Sequence, residues 1–180
     1  MMARPTASHV VHTARLLLRP PTLADLDPYV EIHEDPEVLP HLTRGGTLAG
    51  RVAGWRVLAL LIGHWALRGY GQWTVIERVS GEVVGRVGLW HQEGWPGIEV
   101  SWVIRRSCWG HGYASEAAEA ALAFGFEHLG AEELISLIRP GNTRSRRVAE
   151  NLGGRFRELI TLDGVPNDLY AYSRRPESTA

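Results

Sequence analysis

In "RRSCWGHGYASEAAEAALAFGF", residues 105–126, two glycines flank a histidine directly ahead of a long alanine-rich run. Gly110 and Gly112 permit backbone angles and close approaches that a Cβ forbids. The run behind them reads as a helix from about residue 112 to 129. A helix start carries unpaired N–H groups and about half a positive charge. A bare glycine loop there suits a phosphate, because several amides converge on one anion. A plain tight turn into a helix uses the same residues, so the rest of the chain must separate the two readings.

Other phosphate signatures do not fit. There is no third glycine at the dinucleotide-binding position, the preceding strands read as antiparallel, and no Gly-Lys-Ser/Thr follows. Cys108, the only cysteine, lies beside the loop, but no histidine or acid has a spacing that marks a thiol nucleophile. It reads as a packing residue, and a lone cysteine is compatible with a reducing cytoplasm, the expected location. The eight histidines are scattered with no metal-site context, so no metal is expected. Farther on, Asn142 and Ser145 share one face of a second helix start, where Asn142 suits an N-cap. Arg105, Arg106, Arg144, Arg146 and Arg147 are candidates for phosphate contacts or for surface ion pairs.

A chain of 180 residues, 44% hydrophobic and 22% charged, fits one domain. Nineteen basic and twenty acidic residues leave a net charge of −1, which gives no whole-chain reason to expect nucleic acid or an anionic membrane as partner. The opening "MMARPTASHVVHTARLLLRPP" lacks the apolar stretch of a secretion signal. Residues 1–12 are expected to be loose, 13–175 to form the domain and 176–180 to be a tail. The apolar run "VLALLIGHWAL", residues 57–67, is too short for a bilayer, which needs about 20 residues.

The elements that must position the loop follow from periodicity. "ARLLLRPP" reads as a strand, and "PTLADLDPYVEIHEDPEVL" as a helix with Thr22 as cap and Asp25 in the capping-box position. Residues 47–69 read as a helix that is apolar almost all round, suited to burial on several sides, to covering a ligand or to a homodimer surface. "GQWTVIERVSGEVVGRVGLW" is a hairpin turning at Ser80-Gly81, and "GIEVSWVIRR" a third strand of the meander. "ELISLIRP" is a strand, "NTRSRRVAENLGG" a short helix, and "RFRELITL" with "NDLYAYSR" a hairpin across Asp163-Gly164. The order is βααβββαβαββ. It predicts an α/β (α+β) domain with a mixed, mostly antiparallel sheet of about seven strands and about four helices.

"IEVSWVIRRSCWGHGYASEA" followed by "IRPGNTRSRRVAENLG" resembles the acetyl-CoA site of the GNAT superfamily of N-acetyltransferases, especially the branch of ribosomal-protein N-terminal (Rim-type) acetyltransferases. Trp109 to Ala117 reproduce that branch's W-G-x-G-Y-A-[ST]-E-A pattern, and Asn142 with Ser145 its N-x-x-S pattern. The resemblance runs from "LLLRPPTLADLDPY" through the final hairpin. It implies that amides of Trp109, Gly110, His111, Gly112, Tyr113 and Ala114 hold the CoA pyrophosphate. It also implies that backbone groups of Trp102, Val103 and Ile104 pair with the pantetheine arm as an added strand. Ser107 stands where the broader family has Gln or Arg, and Gly154 where it has Phe.

Acetyl transfer to an amine needs a neutral amine, a donor for the oxyanion and a proton for the thiolate. The resemblance implies Glu99 as base through water, Ser145 as proton donor, Asn142 as a CoA-arm contact and an N–H near Val103 as oxyanion donor. Trp55, Trp65, Trp90 and Trp95 line an acceptor groove or fill the core. At pH 7 deprotonating a lysine costs about 4–5 kcal/mol and an α-amine about 1, which leans toward a protein N-terminus or a small low-pKa amine as acceptor. A non-catalytic CoA-binding module, an interaction protein and an antibiotic-modifying acetyltransferase are the alternatives.

Overall fold

Each run with period-two alternation forms a strand and each expected helical run forms a helix. The computed structural model describes residues 9–42 and 50–174. In chain order the elements are β1 (Val11–His12), β2 (Leu16–Arg19), α1 (Leu26–Glu34), α2 (Arg51–Arg68), β3 (Gln72–Glu77), β4 (Val83–Trp90), β5 (Glu99–Ile104), α3 (Tyr113–Glu127), β6 (Glu133–Ile138), α4 (Thr143–Asn151), β7 (Arg155–Leu162) and β8 (Val165–Ser173). The described strands make one sheet in the order β1-β2-β3-β4-β5-β6-β8-β7. Every pairing is antiparallel except β5 with β6.

One strand exceeds the expected seven. Val11 and His12, in the segment expected to be loose, pair with Leu18 and Leu17. Just ahead of them, the Trp73 indole N–H donates to the His9 carbonyl at 2.7 Å and the His9 ring lies 5.1 Å from that of Trp65. Two residues are too few to show a period, so this edge is invisible to pattern reading. Residues 1–8, the start of the helical run expected from residue 47, and the expected tail lie outside the described residues.

The two faces of the sheet differ in chemistry. On one, α3 lays Ala117, Ala118 and Ala121, all fully buried, against an apolar sheet that includes Trp73, Val87, Leu89 and Val100. Small residues let the helix backbone approach closely; a Cβ on Gly125 would stand 2.7 Å from Leu134 Cδ1. The other face, under α1 and α2, has Leu26, Tyr29, Leu58, Leu61 and Trp90 as its apolar cluster, and polar groups beside it. The all-round apolar character of α2 is real: it buries Leu58, Leu61 and Trp65 and leaves Trp55 and Leu67 exposed. Among the described residues no helix is long and apolar enough to cross a membrane.

A buried polar chain ties α1 to the sheet. Thr22 precedes a single 3-10 turn, Leu23–Asp25, and the Asp25 carboxylate accepts the Thr22 N–H at 2.7 Å. Asp25 also takes both terminal nitrogens of Arg19, at 2.8 and 2.6 Å, and the Thr74 hydroxyl at 2.9 Å. Burial pushes its carboxyl up, but these donors outweigh burial and hold it below the usual carboxylate range. The Tyr29 hydroxyl meets Thr74 Oγ1 at 2.9 Å, and burial pushes this phenol up to about 12.

His33, one turn after Tyr29, is 5% exposed. Its Nδ1 donates to the Tyr29 carbonyl at 2.6 Å, and its Nε2 is buried without a partner. Burial, and then the positive charge of Arg86, lower its pKa to about 4. Because the unfolded imidazole titrates near 6.5, the stability held by neutral His33 is complete above that pH and is lost as pH falls toward 4. The shift corresponds to about 3 kcal/mol. In urea unfolding from pH 7 to 4, His33→Gln will therefore lose about 3 kcal/mol less than wild type; parallel curves would refute this account.

Candidate active site

The sheet opens at one place. Strands β5 and β6 share a single register pair, Glu99↔Ile135, with Ile135 N–H donating to the Ile98 carbonyl at 3.0 Å. One residue on, the Ser136 hydroxyl takes the Val100 carbonyl at 2.5 Å and stands 3.0 Å from the Tyr172 hydroxyl. Beyond that the strands part. A cavity of about 820 Å³ fills the opening and extends under α2.

The direction of each β5 peptide group follows from its pairing with β4. Arg105 N–H donates to the Val84 carbonyl at 2.8 Å, and Val103 stands opposite Arg86 in register. In an antiparallel ladder alternate residues bond the same neighbour. The amide and carbonyl of Val103 are thus turned toward β4, and those of Trp102 and Ile104 toward the opening. Of the expected trio, two present their peptide groups to the opening. The Val103 side chain instead packs with Ile32 and Val38. The Ile104 carbonyl already accepts the Trp109 indole N–H at 2.8 Å, which leaves its N–H on the open side.

The glycine loop faces the same opening. After a 3-10 turn at Arg106–Cys108, Gly110 and Gly112 each take φ = +80°, the left-handed region that L side chains disfavour. Gly112 caps α3, and its carbonyl accepts the Glu116 N–H at 3.1 Å. Trp109, Gly110, Gly112, Tyr113 and Ala114 line the cavity. His111 does not. Its carbonyl accepts Arg15 at 2.9 Å and its ring stacks on Tyr113 at 5.8 Å.

Glu99 is 8% exposed, lines the cavity and accepts the Trp95 indole N–H at 2.8 Å. Asn142 is the N-cap of α4: its side-chain oxygen accepts the Ser145 N–H at 3.1 Å. The Ser145 hydroxyl oxygen accepts the Trp102 indole N–H at 3.3 Å across the opening. A hydroxyl that accepts one bond keeps its own hydrogen free to donate. Both Asn142 and Ser145 line the cavity. The expected cofactor and catalytic residues, His111 apart, therefore come together on its wall.

Of the expected aromatic lining, Trp90 and Trp95 reach the cavity, Trp65 is core and Trp55 is exposed on α2. Arg105 and Arg106 are held by Glu31 and Asp35, whereas Arg144 and Arg147 line the cavity, Arg144 with its guanidinium 4.4 Å from the Trp109 ring centroid. Pattern reading missed Arg86, Gln72 and Ser101, which also line it. A charged residue inside the apolar run "VVGRVGLW" was the available signal. It also missed a clasp on the loop: Glu116 accepts the Thr13 hydroxyl at 2.6 Å, the Arg15 N–H at 2.8 Å and Arg15 Nε at 2.7 Å. The Arg15 guanidinium also lies over the Tyr113 ring, 4.7 Å from its centroid.

Comparison with known proteins identifies the class. Residues 15–155 match the model of the acetyltransferase (GNAT) domain. The chain belongs to that family. The chain is 36% identical over 107 residues to the uncharacterized protein YkkB of Bacillus subtilis, a match covering 57% of this chain and 62% of the relative. It is 28% identical over 170 residues to the uncharacterized N-acetyltransferase p20 of Bacillus licheniformis, covering 91% and 94%. Among solved structures, an acetyltransferase from Agrobacterium tumefaciens superposes with a TM-score of 0.81 at 30% identity, covering 92% of this chain and 94% of that one. Rim-type enzymes share the fold: RimJ of Mycobacterium smegmatis, in complex with CoA-disulfide, gives 0.69 at 20% identity over 88% and 81%.

The clasp gives a testable consequence. Glu116 joins three donors, two of them on the half-exposed Arg15, so the clasp is worth about 0.5–1.5 kcal/mol. Glu116→Ala is expected to lower unfolding free energy by about that amount. It should also quicken hydrogen exchange at the amides of residues 110–114, and unchanged exchange there would dissociate the clasp from the loop.

Proposed function

We propose that this protein moves the acetyl group of acetyl-CoA onto a primary amine by direct transfer in a ternary complex, without a metal. The observation that carries the reading is the parted β5–β6 edge opening onto the glycine-capped start of α3 within one cavity. The residues fit the group. Left-handed glycines gather helix-start amides for a pyrophosphate, and an unpaired strand edge accepts an extended amide chain. The CoA-disulfide held by RimJ supports the same reading.

In this reading bound acetyl-CoA supplies an acyl group already activated as a thioester. Amides of the 109–114 loop hold the pyrophosphate, and the peptide groups of Trp102 and Ile104 continue the sheet onto the pantetheine arm. Asn142 borders that arm while capping α4. Glu99 takes the amine proton through water. A C–N bond forms, the C–S bond breaks, and the Ser145 hydroxyl, already accepting from Trp102, gives its hydrogen to the departing sulfur. Peptide alternation makes the N–H of Trp102 or Ile104 the donor for charge developing on the acetyl oxygen. The acceptor is an α-amine of a polypeptide or small molecule, and Cys108 as the only cysteine suits work in the cytoplasm.

Titration calorimetry tests the cofactor half. Acetyl-CoA should bind with micromolar affinity, and a folded Gly112→Trp variant should lose it, since φ = +80° disfavours any side chain there. Absence of binding to the wild type would remove the reading. The chemical half is tested by Glu99→Gln, expected to lower kcat by about 100-fold or more while acetyl-CoA affinity stays within about twofold. A Glu99→Gln enzyme of undiminished kcat would take the base role away from this residue.

A further inference from the structure

Arg86 lines the cavity on the face that carries Glu99. Arg86, on β4, shares the face under α1 and α2 with Thr74 and Gln72 of β3 and with Glu99 and Ser101 of β5. Its side chain lines the cavity and donates to Gln72 Oε1, and Gln72 Nε2 in turn donates to Ser101 Oγ at 2.5 Å. Its Nε is buried without a partner. Among the described residues no carboxylate is in ion-pair contact with Arg86. By contrast Arg19 is matched by Asp25, Arg105 by Glu31 and Arg106 by Asp35.

The neighbours supply no contacting anion among the described residues. Tyr29, with its phenol pushed up to about 12, and His33, lowered to about 4, are both neutral at pH 7. Glu99 acts on Arg86 by its charge rather than by a bond. A desolvated guanidinium without a contacting anion is expensive, and the groups that hold it here are an amide and a hydroxyl. The guanidinium leans on Gln72, whose partner Ser101 is two residues along β5 from Glu99. The bonds through Gln72 thus turn the fixed cation toward the stretch of β5 that carries the candidate base, on the same wall. An acceptor bearing an amine and a nearby carboxylate complements this pair end for end.

We propose that Arg86 selects the acceptor: the amine that is acetylated carries a carboxylate close by, held by the Arg86 guanidinium while the amine faces Glu99. The inference rests on the acetyltransferase reading above and names its substrate class, amino carboxylates. Their two sources are free amino acids and polypeptide N-termini with an acidic residue beside the amine.

The test uses matched pairs with and without the carboxylate: phenylalanine against phenylalaninamide, and amidated Ala-Asp-Ala-Ala against Ala-Asn-Ala-Ala. Acetyl transfer is followed by release of free CoA thiol. In at least one pair, wild type should favour the carboxylate member by about 100-fold in kcat/KM, and the pair that responds identifies the source. For phenylalanine this preference runs against amine basicity, since the amide gives up its proton more easily. In Arg86→Gln the ratio should collapse to about fivefold or less, with acetyl-CoA affinity kept. Thermal melts check folding, and Arg86→Lys, which keeps the charge, should restore part of the ratio. Equal kcat/KM within both wild-type pairs would overturn the proposal and leave acetyl transfer standing. If acetyl-CoA binds but no pair turns over, thermal stabilisation of the acetyl-CoA complex decides. Stabilisation by the carboxylate members that is lost in Arg86→Gln supports the assignment, and its absence overturns it. Failure to bind acetyl-CoA at all strikes the acetyltransferase reading and this inference together.

Discussion

A single parallel bridge, Glu99 with Ile135, governs the architecture. Strands β5 and β6 are six residues each, long enough to zip together, yet pairing stops where it starts. The Ser136 hydroxyl takes the Val100 carbonyl, so a side chain replaces the next ladder bond. The Trp102 indole then reaches Ser145 on α4, so the opening is spanned by a side-chain bond and not by backbone. Peptide groups left unpaired this way are costly unless water or a ligand meets them. The open edge of β5 is therefore an unspent hydrogen-bonding capacity, aligned for an extended chain.

Position follows from that opening. The crossover from β5 to β6 is made by α3, whose small-residue face beds into the apolar side of the sheet and whose first turn consequently arrives at the gap. The glycines then set the angle of entry, and Glu116 anchors the first turn to Thr13 and Arg15, a hundred residues away. The same geometry separates the two reactants. Cofactor groups belong to the edge of β5 and the starts of α3 and α4, while the face under α1 and α2 collects Glu99, Arg86, Gln72 and Ser101. Had α3 packed through larger side chains, its first turn would stand away from the strand edge and the two halves would not share a cavity.

The parts of this design with a local cause were legible in the sequence. Glycines ahead of an alanine run need no partner to announce a helix start, and alternation gave seven of the strands together with their order. The orientation of the peptide groups was not legible. Whether Val103 or its neighbours face the gap depends on register with β4, a non-local fact that periodicity in β5 alone leaves undetermined. The same limit hid the Thr13–Arg15–Glu116 clasp and the short β1, because both exist only through partners distant in the chain. Tryptophans divided by depth: Trp65 turned its indole N–H to the Gln72 carbonyl inside the core, Trp95 turned its own to Glu99, and composition does not distinguish such partners.

The charge balance of the acceptor half bears on how an amine would be activated. Desolvation strips the proton from His33 and retains the one on Tyr29, while Arg86 and Glu99 stand on this face as opposed charges. An ammonium entering here is disfavoured by burial and by Arg86, and both effects lower its pKa; Glu99 draws the other way until it accepts the proton. A carboxylate on the acceptor would neutralise Arg86 and remove part of that assistance. Holding and activation thus draw on the same guanidinium in opposite directions. The conflict is smallest for an amine that is easy to deprotonate: an α-amine asks about 1 kcal/mol at pH 7, a lysine about 4–5. An acceptor that spends Arg86 on binding is best served by a low-pKa amine of its own, which a polypeptide N-terminus brings more readily than a free amino acid, whose adjoining carboxylate favours the ammonium.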